Sequence, residues 1–371
     1  MTLWEGKTLG GDLAGSIGDL GTFLPFVIGA ITLAHLDATS VLVMYGLIYI
    51  GTAWFYRLPV PVQPMKVIGA AIIVQNLNAA EIAASGILIG VILLFIGFTG
   101  IVDKLARITP LSVTMGIQSG LGISLAILGI KMIRSELLLG TIVMLVMLFL
   151  LNSKRFPASI VALVGGTALA FYIHPDMTLP SLHLGINLPH PVWPAWHDYY
   201  RGFLMGCLPQ FPLTLTNSVL VTTVLAHNLF PDKSCRVTNK NLCFSLGVGN
   251  LIASPLGIIP MCHGSGGLAA HYRFGARTAF STAFIGLILL FIGLFLGSSG
   301  LQVLQIIPSA VLGGMLFYSG LDLIKPVKSE QKSDIFVFAV VVVLSVAVNP
   351  GIGFLVGVPL IYLLHKEWLI V

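Results

Sequence analysis

Pro59-Val60-Pro61-Val62-Gln63-Pro64-Met65-Lys66-Val67-Ile68-Gly69-Ala70 decides how the rest of the chain is read. Proline lacks an amide donor and fixes φ, so this run cannot continue a helix. The apolar segment it opens, 64–76, is too short to cross a bilayer, which takes about 20 residues. A second stretch repeats the arrangement: Pro260-Met261-Cys262-His263-Gly264-Ser265-Gly266-Gly267, followed by a short segment at 264–275. Irregular backbone at membrane depth is tolerated only where it is buried in protein or lines a cavity. Two half-helices are therefore expected to start inside the membrane. Their free amides and positive dipole ends form an anion site.

The surrounding composition supports a membrane setting. The 371 residues are 56% hydrophobic and 9% charged, against roughly 25% charged in a soluble domain. Long apolar runs, rather than alternating ones, indicate helices and not a barrel. The four Cys form no CxxC pair. The expected fold is an all-α polytopic membrane protein with about fourteen segments: 14–34, 38–56, 64–76, 82–101, 108–129, 136–152, 156–173, 200–226, 240–256, 264–275, 277–297, 302–322, 333–348 and 351–367. Ser298-Ser299-Gly300 and Asn349-Pro350-Gly351 are read as breaks in the longest runs.

With a cytoplasmic N-terminus, fifteen of the 19 Lys and Arg fall inside, three (Lys131, Arg134, Arg201) outside, and Lys66 within the membrane. That satisfies the positive-inside rule and places both termini in the cytoplasm. The net charge of +5 is thus an orientation signal and calls for no nucleic acid. The short segments are the third and tenth, seven apart. Residues 1–173 and 199–371 hold seven segments each, joined by an extracytoplasmic linker, 174–198. Odd-numbered consecutive halves must be inverted, as in secondary transporters; two unrelated re-entrant loops are the alternative.

Lys66 places a full positive charge in the first turn of a helix, at a local cost that points to function; snorkelling to the surface is the plain alternative. Gly264, Gly266 and Gly267 allow close approach of backbone to ligand, and Ser265 can cap or donate. Gln63 either donates to an oxyanion or ties down the broken backbone. His263 either donates to substrate, with a role in proton coupling, or holds structure. Asp19 is an intramembrane carboxylate and so functional by default, expected to pair with Lys66, cap unwound backbone or couple protons. Thr22, Gln210, Thr214 and Asn217 are neutral donors suited to a tetrahedral oxyanion or to joining helices. Asp322 reads as an interfacial residue. His174, His183, His190 and His197 crowd the linker without diagnostic metal spacing, so no metal site is expected. Gly86…Gly90 and Gly293…Gly297 fit close helix packing. No phosphate-binding GxxxxGK[ST] loop occurs, and neither an enzyme nor a cofactor is expected.

Pro61 to Ala70 closely resembles the first signature of the molybdate transporter family, a branch of the sulfate permease superfamily. Pro260 to Ala269, continuing through Tyr272-Arg273-Phe274-Gly275-Ala276-Arg277, resembles the second. Gly18-Asp19-Leu20-Gly21-Thr22 and Gln210 to Ser218 are similar to family sequence as well. His271 departs from the second signature, where Gln is more typical. The resemblance implies a core domain (segments one to four and eight to eleven) and a gate domain (five to seven and twelve to fourteen). It also implies a homodimer, elevator-like motion, and molybdate bound between half-helices three and ten. Substrate contacts then fall on Gln63, Met65, Lys66, His263, Gly264, Ser265, Gly266, Thr22, Gln210 and Asn217. With the sequence ending at Val371, no cytosolic anti-sigma-like domain is expected. The implied setting is a bacterial inner membrane. Sulfate transport on the same site, or an anion channel, are the rival functions.

Overall fold

A computed structural model describes residues 9–102, 110–151, 153, 156, 158–324, 326–327, 329–366 and 368. Lys7, Lys104, Arg107, Lys154, Arg155, Lys325 and Lys328, counted in the charge asymmetry, lie outside the described residues.

The helices in chain order are α1 (Leu9–Ser16), α2 (Leu20–Leu33), α3 (Ala38–Tyr56), α4 (Lys66–Gln75), α5 (Ala79–Thr99), α6 (Leu111–Ile133), α7 (Leu137–Leu150) and α8 (Ala158–Ile173). They continue as α9 (Trp196–Leu229), α10 (Asn239–Ala253), α11 (Ser265–Arg273), α12 (Phe280–Gln305), α13 (Ser309–Leu323), α14 (Lys332–Ala347) and α15 (Pro350–His365). Five helical stretches are long and apolar enough to cross a membrane by length and composition: 38–56, 79–99, 111–150, 196–229 and 280–297. Starts follow local capping chemistry. Asp37 accepts from the Ser40 amide at 2.6 Å, and Asn349 from that of Ile352 at 2.8 Å. Asn78 and Glu81 form a reciprocal capping box.

Three boundaries depart from expectation. The first segment is two helices, broken across Ile17-Gly18-Asp19, where the Ala270 carbonyl and Phe274 ring crowd Gly18. Ser298-Ser299-Gly300 is no break, because α12 runs through it. The chain turns at Ile306–Pro308 instead, where Pro308 stands ahead of the first turn of α13 and cannot donate to a continuing helix. Third, α9 is one long helix with wide π-type turns at Gly202–Cys207 and Thr214–Val221. Pro209 and Pro212 remove two amide donors from its ladder, and such turns are one way a helix absorbs the loss.

Two packing units surround the broken stretches. In the first, α3 packs on α12 and α5 on α10. Small residues permit this: a methyl at Gly46 would meet the Gly286 carbonyl, and one at Gly90 the Gly247 carbonyl. The Gly86 and Gly293 motifs therefore serve contacts within the chain, against Ser254 and Val43. In the second unit α6 packs on α13 and α14, α7 on α13 and α8, and α14 on α15. The linker leaves α8 and runs without regular structure to Trp196.

The two extended stretches meet at the centre. Gln63–Pro64 (β1) and Met261–Cys262 (β2) pair antiparallel, Gln63 opposite Cys262 and Pro64 opposite Met261. The Met65 amide donates to the Pro260 carbonyl at 2.7 Å. Asn250 clamps the Met261 backbone through both ends of its amide, at 2.8 and 2.9 Å. Tyr45 donates to the Ile259 carbonyl at 2.9 Å. These bonds satisfy backbone groups that the breaks leave without a helical partner, and they fix where α4 and α11 begin.

Candidate functional site

A cavity of about 380 Å³ is lined by α2, α4 and α11 on one side and by α7, α8 and α13 on the other. Thr22 (α2), Lys66 (α4) and Gly266 (α11) line one wall, with Ala269, Ala270 and Arg273 further along α11. Met147 (α7), Ser159 (α8) and Tyr318, Ser319 and Asp322 (α13) line the other.

The two half-helix starts differ. The amides of Ser265 and Gly266, in the first turn of α11, meet no acceptor among the described residues. Gly266 is exposed, and a Cβ built there would touch nothing within 4 Å. At α4 the Gln210 carbonyl oxygen accepts from the Val67 amide at 2.8 Å and the Ile68 amide at 3.4 Å. Its amide nitrogen donates to Thr214 Oγ1 at 3.0 Å. The neighbouring helix thus caps α4, whose N-cap residue Met65 has no side chain able to do so. Gln210 and the buried Met65 do not line the cavity.

Asp19 is buried within a knot of side chains. Its Oδ1 accepts from Thr22 Oγ1 at 2.6 Å and from Gln63 Nε2 at 2.5 Å. Gln63 Nε2 also donates to Thr22 Oγ1 at 2.7 Å. Gln63 therefore spends both amide hydrogens on the knot. Gly264 and Gly267 make room for it: a methyl on Gly264 would strike Gln63 Oε1, and one on Gly267 would lie 2.7 Å from both Asp19 Oδ2 and Gln63 Nε2. Asp19 Oδ2 is buried and has no hydrogen-bond partner among the described residues. The expected Asp19–Lys66 pair does not form. Lys66 Nζ reaches instead to Asp322 Oδ2, 2.8 Å away on α13.

His263 faces away from the cavity. Its Nδ1 donates to the Pro61 carbonyl at 2.7 Å, an oxygen that can only accept. Nε2 bonds Ser245 Oγ at 3.0 Å, and that hydroxyl lies 2.7 Å from the Tyr56 hydroxyl. Both ring nitrogens are committed, one to the stretch leading into β1 and one to α10, and the ring is fully buried. Ser265 Oγ donates to Asn217 Oδ1 at 2.6 Å. That leaves the Asn217 amide nitrogen, on the second π-type turn of α9, without an acceptor among the described residues.

Of the residues singled out in the sequence, the fold brings Thr22, Lys66 and Gly266 to the cavity wall. Ser265, Asn217, Gln63 and Asp19 stand immediately behind them. His263, Met65 and Gln210 support the frame. Sequence reading missed Asp322 as the partner of Lys66, and with it the α13 wall. Of the linker histidines, His174 bonds Glu136 at the start of α7 at 3.0 Å and His197 bonds its neighbour Asp198 at 3.3 Å. Among the described residues no His, Cys, Asp or Glu group could hold a metal.

Residues 11–125 and 202–323, which include both half-helices and the Asp322 wall, match the family described as "Molybdate transporter of MFS superfamily". The chain belongs to the molybdate transporter family. Molybdate transporter 2 of Arabidopsis thaliana is 31% identical over 96% of this chain and 88% of its own length. Molybdate transporter 1 of Chlamydomonas reinhardtii is 27% identical over 93% and 89%. The fold is shared with the transmembrane domain of the cyanobacterial bicarbonate transporter BicA, with a TM-score of 0.70 at 21% identity, covering 95% of this chain and 98% of that one. SLC26A9 superposes with a TM-score of 0.70 at 15% identity, covering 96% of this chain and 65% of that one. This member of the molybdate transporter family is thus an integral membrane protein with an SLC26-like fold. It is a transporter and not an enzyme.

Proposed function

We infer that the protein imports molybdate, or a closely similar tetrahedral oxyanion, as a secondary transporter, with the anion held at the start of α11. The observation that carries this reading is the wall of the cavity. Gly266 and Lys66 line the same cavity, the Ser265 and Gly266 amides meet no acceptor among the described residues, and Asn217 is bonded to Ser265 behind that wall. Amides and positive charge at a helix start favour an oxyanion over a neutral solute. The relatives named molybdate transporters make molybdate the first anion to test.

The packing supports fourteen crossings in two inverted repeats, 1–173 and 199–371. Exchanging α3 with α10, α5 with α12, α6 with α13, α7 with α14 and α8 with α15 maps these pairings onto one another, with α6–α13 returning to itself. The α3–α12 contact becomes α10–α5, α6–α14 becomes α13–α7, and α14–α15 becomes α7–α8. In this reading the first packing unit is a core domain that slides past the second, a gate domain, in an elevator-type motion. The termini are cytoplasmic in a bacterial inner membrane, and two copies form a homodimer. Proton coupling is assigned to Asp19, whose Oδ2 has no donor among the described residues to stabilise a carboxylate there.

Uptake of labelled molybdate into proteoliposomes, with sulfate as competitor and with or without a pH gradient, tests the assignment. Saturable uptake that excess molybdate blocks, and that an equal concentration of sulfate does not, is expected. Equal competition by sulfate would reassign the substrate, and channel-fast flux indifferent to every gradient but its own would reassign the class.

A further inference from the structure

We propose that Asp322 is a built-in competitor for the substrate: it occupies Lys66 until a doubly charged anion displaces it, and so sets a minimum valence for binding. The inference rests on the anion site read above.

Asp322 is on α13 and Lys66 opens α4, so the pair bridges the two walls of the cavity. Its nitrogen and oxygen are 2.8 Å apart, with the lysine side chain 21% and the aspartate 51% exposed. Lys66 is therefore not an idle cation awaiting a ligand. Its charge is already matched by a carboxylate, the same kind of group, an oxyanion, that the site would receive. Among the described residues the charged side chains on this cavity are Lys66, Arg273 and Asp322, two positive and one negative.

A carboxylate carried on the same chain competes at a high effective concentration. A monovalent anion gains no Coulomb advantage over it, whereas a dianion gains about twice as much from the same cations at equal distance. The tie also joins α4 to α13, so displacing Asp322 removes one bond between the two cavity walls. Substrate binding would release the elevator as well as fill it.

Equilibrium binding of labelled molybdate to purified full-length protein reads this directly, in wild type, Asp322→Asn, Asp322→Glu, Lys66→Ala and the double variant Lys66→Ala/Asp322→Asn. Asp322→Ser serves as a second neutral variant if the Asn form misfolds. Neutralising Asp322 is expected to tighten molybdate binding about threefold or more and to let chloride or nitrate compete where neither does in wild type. Asp322→Glu, which keeps the charge, should bind as wild type does. The tightening should shrink in the Lys66→Ala background. No tightening with Lys66 present would overturn the proposal. So would equal tightening with and without Lys66, which would reveal only a diffuse field. Unchanged affinity in Lys66→Ala alone would instead remove the underlying anion site.

Discussion

Gly266 and Gly267 are neighbours on α11, yet the structure assigns them opposite tolerances. A methyl at Gly267 would lie 2.7 Å from Asp19 Oδ2, 2.7 Å from Gln63 Nε2 and 2.8 Å from the Pro61 Cβ. None of these can retreat freely, because the carboxylate and the amide are bonded to each other and to Thr22. Overpacking of this kind costs about 1–3 kcal/mol. Each knot bond that breaks adds about 1 kcal/mol, while replacing glycine in a helix returns up to about 1 kcal/mol. The net for Gly267→Ala is a loss of about 2 kcal/mol, or about 4 °C in melting temperature if about 2 °C follows each kcal/mol. At Gly266 the same methyl meets nothing within 4 Å and points into the cavity. Gly266→Ala should melt no lower than wild type, yet bind molybdate about tenfold more weakly, a difference of about 1.4 kcal/mol, because the methyl takes the place of an anion oxygen. Thermal melting and equilibrium binding of the two purified variants separate these effects. A stable Gly267→Ala with unchanged binding in Gly266→Ala would mean that α11 presents another face to the cavity.

Gln210→Ala leaves the Val67 and Ile68 amides without an acceptor and should lower stability by about 1–3 kcal/mol, read by thermal melting. His263→Phe removes both ring bonds and should destabilise the fold by about 2 kcal/mol, whereas the folded fraction, reconstituted in liposomes, should keep the wild-type response of uptake to pH. Asp19→Asn retains an oxygen to accept from Thr22 and Gln63, so it should stay folded and still bind molybdate. It should also lose accumulation driven by a pH gradient, measured with and without an imposed gradient.

The half-helices were legible because proline and glycine punctuate a sequence more sharply than any other residues. The runs 59–64 and 260–264, with their proline and glycine, interrupt any continuous helix. Lys66, Ser265 and Gly266 follow from those runs by position alone. What stayed hidden depends on distance along the chain. Asp322 meets Lys66 across 256 residues, and a carboxylate at the end of an apolar helix looks interfacial until the fold brings α13 to α4. Gln210 has the character of a ligand residue, yet its carbonyl is taken by an uncapped helix start 143 residues away. His263 lies beside the anion site in sequence, but its own ring is turned to Pro61 and Ser245, an outcome set by the antiparallel pairing of β1 with β2. The misplaced break at Ser298-Ser299-Gly300 has a simpler cause. Small polar residues weaken a helix in water, whereas tight packing of α12 on α3 favours them, and Pro308 was the stronger stop.

Molybdate transport by this chain turns on an oxyanion seated at the start of α11, facing Lys66. Anomalous scattering from molybdenum, in crystals of the full chain grown with molybdate, locates that atom without reference to any side chain. One peak is expected in the cavity between Thr22, Lys66 and Gly266, within hydrogen-bonding reach of the Ser265 and Gly266 amides, and it should be lost in Lys66→Ala crystals. A molybdenum peak elsewhere in the protein, or one that persists at the same occupancy without Lys66, would contradict it.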